Sequence, residues 1–227
     1  MAKKNKKNGP SPKDKRPGLS RDSILMEAVK IADAEGLSKV SMRKVSASFA
    51  VEAMSLYHHV KNKDDILNGM IDLILGEIVF NRESSNWRDS MRERAISTRE
   101  VLKAHPWALG VLESRPDPGP ITLEYHDAVL KVLFDAGFSL ALAAHAFSAL
   151  DAYTYGFVMQ EDALPFDNPE ELQIVAAGIL SSFPKGAYPH LKRLTLDHVL
   201  QPGYSYSKEF LFGLDLVLES IEARRAL

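Results

Sequence analysis

The chain has 227 residues, 45% hydrophobic and 26% charged, which is ordinary for a soluble globular protein, and it holds no cysteine, which excludes disulfide frameworks, thiolate metal sites and thiol nucleophiles. The formal net charge of −2 conceals a gradient: residues 1–20 carry seven Lys or Arg against Asp14, residues 21–66 carry seven of each sign, and the remainder holds −8. A basic front joined to an acidic body places any polyanion contact at the front, and with neither an apolar run of ~20 residues nor a signal-like start the protein is expected in the cytoplasm.

Residues 1–19, rich in Lys, Pro and Gly and without periodicity, read as a disordered basic arm. Ser20 is placed to cap a first helix, with Ile24, Ala28, Ile31 and Ala32 on one face and Gly36 at its end. Ser41 caps a second, short helix running to about Phe49. Ala50-Val51-Glu52 is a tight turn, and a third helix covers about Ala53 to His59. Lys63-Asp64-Asp65 opens a fourth with Ile66, Leu67, Met70 and Ile74 along it. Three helices within residues 20–66, the last two short and tightly joined, are the layout of a helix-turn-helix.

Further helices are predicted for Trp87 to His105, a short piece among Pro106 to Pro120, Ile121 to Ala136, Leu140 to Gln160 and Glu170 to Ser182. Residues 183–207, punctuated by Pro184, Pro189 and Pro202, read as partly irregular, and a last helix covers 208–225. The fold class is all-α, with 20–66 as a DNA-binding domain and 67–227 as a larger ligand-binding and dimerisation domain.

The third helix carries the chemistry. At about 100° per residue, Leu56 and Val60 lie within ~40° of each other and face inward, which turns Met54 and His58 outward. Ser55 and Tyr57 flank that face. Met and Ser suit base edges, while Tyr, Ser and His donate to phosphates. Arg43, Lys44 and Lys63 stand on either side, where each alone is an ordinary surface cation but the set fits a phosphate backbone.

The stretch from Val40 to Leu67, with S-M-R-K-V, V-x-x-x-S-L-Y-x-H-V and K-N-K-x-x-[IL]-L in order, resembles the DNA-binding signature of the TetR family. The resemblance implies DNA-contact roles for Arg43, Met54, Ser55, Tyr57, His58, His59 and Lys63, in a dimer on a palindromic operator. Ala50 stands where the family usually has glycine, so a left-handed alanine costing about 1 kcal/mol is expected there.

The body also resembles the tetracycline-repressor subclass, at S-R-P (114–116), G-F-S-L (137–140), A-F-S-A-L (146–150), Y-G-F-V (155–158) and F-L-F-G-L-D-L-V-L (210–218). In that subclass the drug enters as a magnesium chelate. By position its metal and drug ligands fall here on Val79, Val111, Ala152, Gln160 and Arg94, a set that does not hold a hard cation. The expected effector is therefore largely apolar and not magnesium–tetracycline, and neither metal nor cofactor is expected.

The pocket nominated by position comprises Ile78, Thr98, Leu102, Trp107, Val111, Tyr125, Val129, Phe147 and Tyr153, with Arg94 and His126 as polar handles. The dimer interface is expected on the helices at 140–160 and 208–225, through Phe147, Leu150, Tyr155, Phe157, Phe210, Leu214, Val217 and Ile221, as a four-helix bundle.

Two other readings stay open at this point. One is a DNA-binding regulator without a small-molecule ligand, which a solidly packed body would favour. The other is a helical enzyme, against which the chain lacks G-x-S-x-G, H-E-x-x-H and any glycine-rich phosphate loop.

Overall fold

The computed structural model describes residues 18–114 and 118–225. The proposed basic arm, through residue 17, and most of the S-R-P turn lie outside the described residues. Among those described there are eleven α-helices and no strand. None of the helices is long and apolar enough to cross a membrane. The chain divides into two compact units, one ending at Met70 and the other beginning at Ile71.

The first unit holds α1 (Arg21–Glu35), α2 (Met42–Ser48), α3 (Ala53–Leu56) and the start of α4 (Lys63–Gly76). A capping box opens α1. Ser20 Oγ accepts from the Ser23 amide, and Ser23 Oγ accepts from the Ser20 amide, so two amides that the helix itself cannot satisfy are bonded locally. Gly36 ends α1 at φ 88° and ψ 156°, positive in φ as expected but extended in ψ, because a 3-10 turn at Leu37–Lys39 follows directly. Ser41 caps α2 by accepting from the Lys44 amide. Ala50 adopts the left-handed conformation at φ 57°. Ile24, Ala28, Val40, Val45, Leu56, Ile66 and Met70 form the buried centre of this unit.

In the second unit α5 (Trp87–Ala104), α8 (Leu140–Asp162) and α11 (Tyr206–Arg225) pack together, and α7 (Pro120–Asp135) adds to α5 and α8. Short α6 (Ala108–Ser114), α9 (Pro169–Ser182) and α10 (Pro189–Leu194) complete it. Met91, Leu102, Tyr125, Val129, Leu133, Leu150, Phe210 and Leu214 are its core. One join is unusually close. The buried carboxylate of Asp72 on α4 accepts from both the amide (3.1 Å) and the hydroxyl (2.7 Å) of Thr122 in the first turn of α7. A β-carbon on Gly119 would stand 2.0 Å from that carboxylate, so only glycine fits there.

The stretch 183–207 is more ordered than its prolines predict. Tyr188, left-handed at φ 54°, precedes Pro189 at the first position of α10, where a missing amide hydrogen costs nothing. A π-turn at Thr195–Val199 then continues it.

Candidate functional site

The α3 segment is shorter than its sequence pattern predicts. Regular helix ends at Leu56, after which Tyr57 and His59 donate to carbonyls three residues back, tightening the last turn. The facing of the side chains is nonetheless that of the helical projection. Leu56 and Val60 are buried, Ser55 is half-buried, and Met54 (72% exposed), Tyr57 (48%), His58 and His59 stand in solvent. Met54 and Tyr57 are large apolar groups with no cover inside the first unit, a costly arrangement for a surface that meets only water.

The turn into α4 is braced from three sides. Asn62 caps the helix by accepting from the Asp65 amide at 2.8 Å. The Asp65 carboxylate takes a fork from Arg21 at 2.7 and 2.9 Å and the Lys61 amide at 2.8 Å. The Arg21 hydrogen bonds hold the Asp65 carboxyl below its ordinary pKa of 3.8 against the opposing effect of burial. This fixes the backbone that carries Lys63, which is exposed, as is Arg43. Lys44 differs, because its ammonium is bound to Glu35 at 2.8 Å and reaches a phosphate only by leaving that pair.

In the second unit the residues nominated as a pocket separate into two groups. Arg94, Tyr125, His126 and Phe147 do converge, but as packed core. Arg94 is 2% exposed, its Nε donates to Tyr125 Oη at 2.7 Å, and its Nη2 is ion-paired with Asp151. The guanidinium also lies 5.2 Å from the Tyr125 ring and 5.3 Å from that of Phe147. Burial alone would lower the Arg94 pKa, yet Tyr125 and Asp151 reverse this and it is raised. Arg94 is thus committed to its own protein rather than left as a handle for a ligand. Ile78, Thr98, Val111 and Val129 are buried, Trp107 is half-buried, and Tyr153 donates to the Phe210 carbonyl at 2.8 Å.

An open volume lies elsewhere. A cavity of about 850 Å³ is bounded by α5, α6, the last turns of α8, the segment 164–169 and the start of α11, and of the nominated pocket residues only Leu102 lines it. Tyr155, expected at the dimer interface, is in its wall, with Phe166, Tyr204 and Tyr206. The pattern of residues gave no sign of this, because the wall joins one stripe of α8 (Ala152, Tyr155, Gly156 and Met159) to short pieces of four other helices and to loops that are far apart in the chain.

The interface residues are corrected in the same way. Leu150, Phe210 and Leu214 are fully buried within one protomer, and Phe157 and Ile221 nearly so, because α5, α8 and α11 pack on one another. What α11 leaves bare is its opposite face, with Phe212 66% and Leu216 53% exposed beside Leu211. On α8 the exposed face carries the small residues Ala141, Ala144, Ser148 and Ala152 around His145, with the larger Leu140 and Met159 exposed toward its ends.

His126 is half-buried between the Tyr125 and Phe147 rings, and burial, assisted by Arg94, lowers its pKa below 6.5. A base with a depressed native pKa binds more protons when unfolded, so the body loses stability as pH falls through 6.5 toward the native value. Between pH 7.5 and 5.5 the melting temperature of wild type should fall further than that of His126→Gln, with the two converging at the alkaline end. Parallel curves would mean that His126 titrates as if in water.

Among the described residues no group of three His, Asp or Glu is placed to hold a metal ion. Residues 81–225 match the family model described as the tetracyclin repressor-like C-terminal domain. An HTH-type transcriptional regulator of Saccharopolyspora erythraea is 37% identical over 147 residues, covering 64% of this chain and 62% of that protein. This chain therefore matches less than two thirds of that relative's length. The HTH-type transcriptional repressor DrrR1 of Streptomyces coeruleorubidus is 29% identical over 216 residues, covering 91% of this chain and 78% of DrrR1. The crystal structure of Streptomyces coelicolor ActR in complex with (S)-DNPA superposes with a TM-score of 0.75 at 25% identity, covering 92% of this chain and 99% of that one.

Proposed function

Because the chain belongs to the TetR family of transcriptional regulators, we propose that it is a homodimeric repressor that reads a near-palindromic operator through α3 and releases it when a small molecule occupies the body. The observation that carries this is the outward face of Met54, Tyr57, His58 and His59, set between the exposed cations Arg43 and Lys63. Tyr57 and the histidines suit phosphate oxygens, Met54 suits a thymine methyl, and the braced Lys63 sits at the positive end of α4, where a phosphate is welcome.

The dimer is proposed to form through the faces that each protomer leaves bare. Phe212 and Leu216 on α11 supply apolar area. The small residues of α8 let a partner helix approach closely, giving a four-helix bundle about a two-fold axis. Two recognition segments then address two half-sites.

The cavity of about 850 Å³ favours a ligand-responsive regulator over one without an effector, since sites for drug-sized molecules span about 300–1,000 Å³. Release follows if the effector binds better to a helix arrangement whose recognition segments no longer fit the operator spacing.

The test is operator DNA found by selection from a random duplex pool, titrated with wild type and with Tyr57→Ala/Lys63→Ala. The variant should lose at least 100-fold in affinity while sedimenting as wild type does. Unchanged, salt-dependent affinity in the variant would overturn the assignment.

A further inference from the structure

The wall of the cavity is not neutral. Among the described residues four carboxylates line it, Glu113, Glu161, Asp162 and Asp167, against the single ammonium of Lys103. Glu161 is already neutralised. Arg99 forks onto it at 2.5 and 2.8 Å and Lys103 Nζ lies at 2.9 Å. Burial would raise its pKa, but these partners outweigh that and hold it down. Among the described residues the cation in the wall, Lys103, is thereby spent on the carboxylate that already has partners. Glu113, Asp162 and Asp167 make no ion pair among the described residues. They belong to three different segments, the end of α6, the end of α8 and the loop after it, brought to one space by the fold.

The rest of the wall is aromatic. Tyr155, Phe166, Tyr204 and Tyr206 line the same space. Burial raises the pKa of the Tyr155 phenol, and Asp151 adds to this, so it stays neutral. A π face carries negative charge at its centre and attracts cations. Glu113, Asp162 and Asp167 are exposed at the rim of the cleft, where unpaired carboxylates raise the local concentration of positive ligands and repel negative ones. Both features select the same chemistry.

We propose that the effector of this cavity is an organic cation with a planar aromatic body, such as a ring system bearing an amine protonated at neutral pH. This rests on the cavity's being the effector site, and it revises the expected ligand by adding a positive group to an apolar frame. The body would lie against Tyr204, Tyr206 and Phe166, and the charge near Glu113, Asp162 and Asp167.

The test compares two tricyclic dyes of similar size and opposite charge, methylene blue (cation) and resorufin (anion), titrated against the full chain without DNA. Methylene blue should bind at least tenfold more tightly than resorufin. Glu113→Gln/Asp162→Asn/Asp167→Asn, matched in size, should erase that preference, with its helical circular dichroism intact. Equal or tighter resorufin binding overturns the proposal, as does binding of neither dye or a preference that survives the triple variant. The comparison on wild type decides even if the variant fails to fold. Operator binding is measured separately, so absence of the dye preference in wild type with intact operator binding removes this ligand class alone, and the preference without operator binding removes the DNA-reading assignment alone.

Discussion

Replacing Asp151 with alanine is expected to remove about 3–5 kcal/mol of unfolding free energy from the helical body, the range found when one partner of a buried ion pair is deleted. The side chain itself is small and makes few apolar contacts. The loss comes from Arg94, which is 2% exposed and cannot shed its charge. Without Asp151 the guanidinium keeps, among the described residues, the Tyr125 hydroxyl and two ring faces. A second variant separates charge from packing. In Arg94→Met/Asp151→Leu no ion remains to be desolvated, so most of the loss should return, leaving the cost of the abandoned Tyr125 hydroxyl at about 1 kcal/mol. Urea unfolding at one fixed protein concentration measures both, since the apparent stability of the proposed dimer would move with concentration. A cost below about 1 kcal/mol for the single variant would mean that water reaches the pair.

Two phenylalanines two residues apart on α11 should behave as opposites. Phe210 is fully buried, with the Tyr153 ring stacked at 5.7 Å, the Phe157 ring at 5.1 Å and the Arg99 guanidinium at 5.1 Å over its face. Phe210→Ala should therefore cost about 3–5 kcal/mol in the body, as buried aromatic truncations do. Phe212 is 66% exposed, and Phe212→Ala with Leu216→Ala should leave protomer helicity unchanged while raising the dimer dissociation constant at least tenfold in analytical ultracentrifugation. If the dimer survives this double substitution undiminished, the proposed bundle is wrong and another face joins the protomers.

What the sequence makes legible here is whatever local chemistry decides. Ser20 and Ser41 cap helices because a hydroxyl at that position meets a free amide in any context, and both do so. Leu56 and Val60 turn inward because helical projection requires it once one of them is buried. Ala50 is left-handed in spite of its side chain, as the glycine usual at that position in the family it resembles implies. Periodicity gives an apolar face without naming what covers it, which is why Leu150, Phe210 and Leu214 read as interface and are core. The Arg94–Asp151 pair joins residues 57 apart, so no window of sequence shows it. Helix α10 was obscured differently. Leu191 and Leu194 are exposed, so it has no buried stripe to detect, and Pro189 reads as a break where it serves as a start.

The buried carboxylate of Asp72 gives α4 a mechanical property. Hydrogen bonds weaken steeply outside a narrow range of length and angle, and the two that Asp72 accepts from Thr122 share one oxygen. On the other side Gly119 leaves no slack. The C-terminal half of α4 therefore cannot creep along the first turn of α7. It is either seated or released, and a half-released position strands a buried anion at a cost of about 1–3 kcal/mol. A seat of this kind works as a detent. Small displacements of the end of α4 along α7 are opposed by that cost, so the seat holds its register within the second unit as a notch holds a pin.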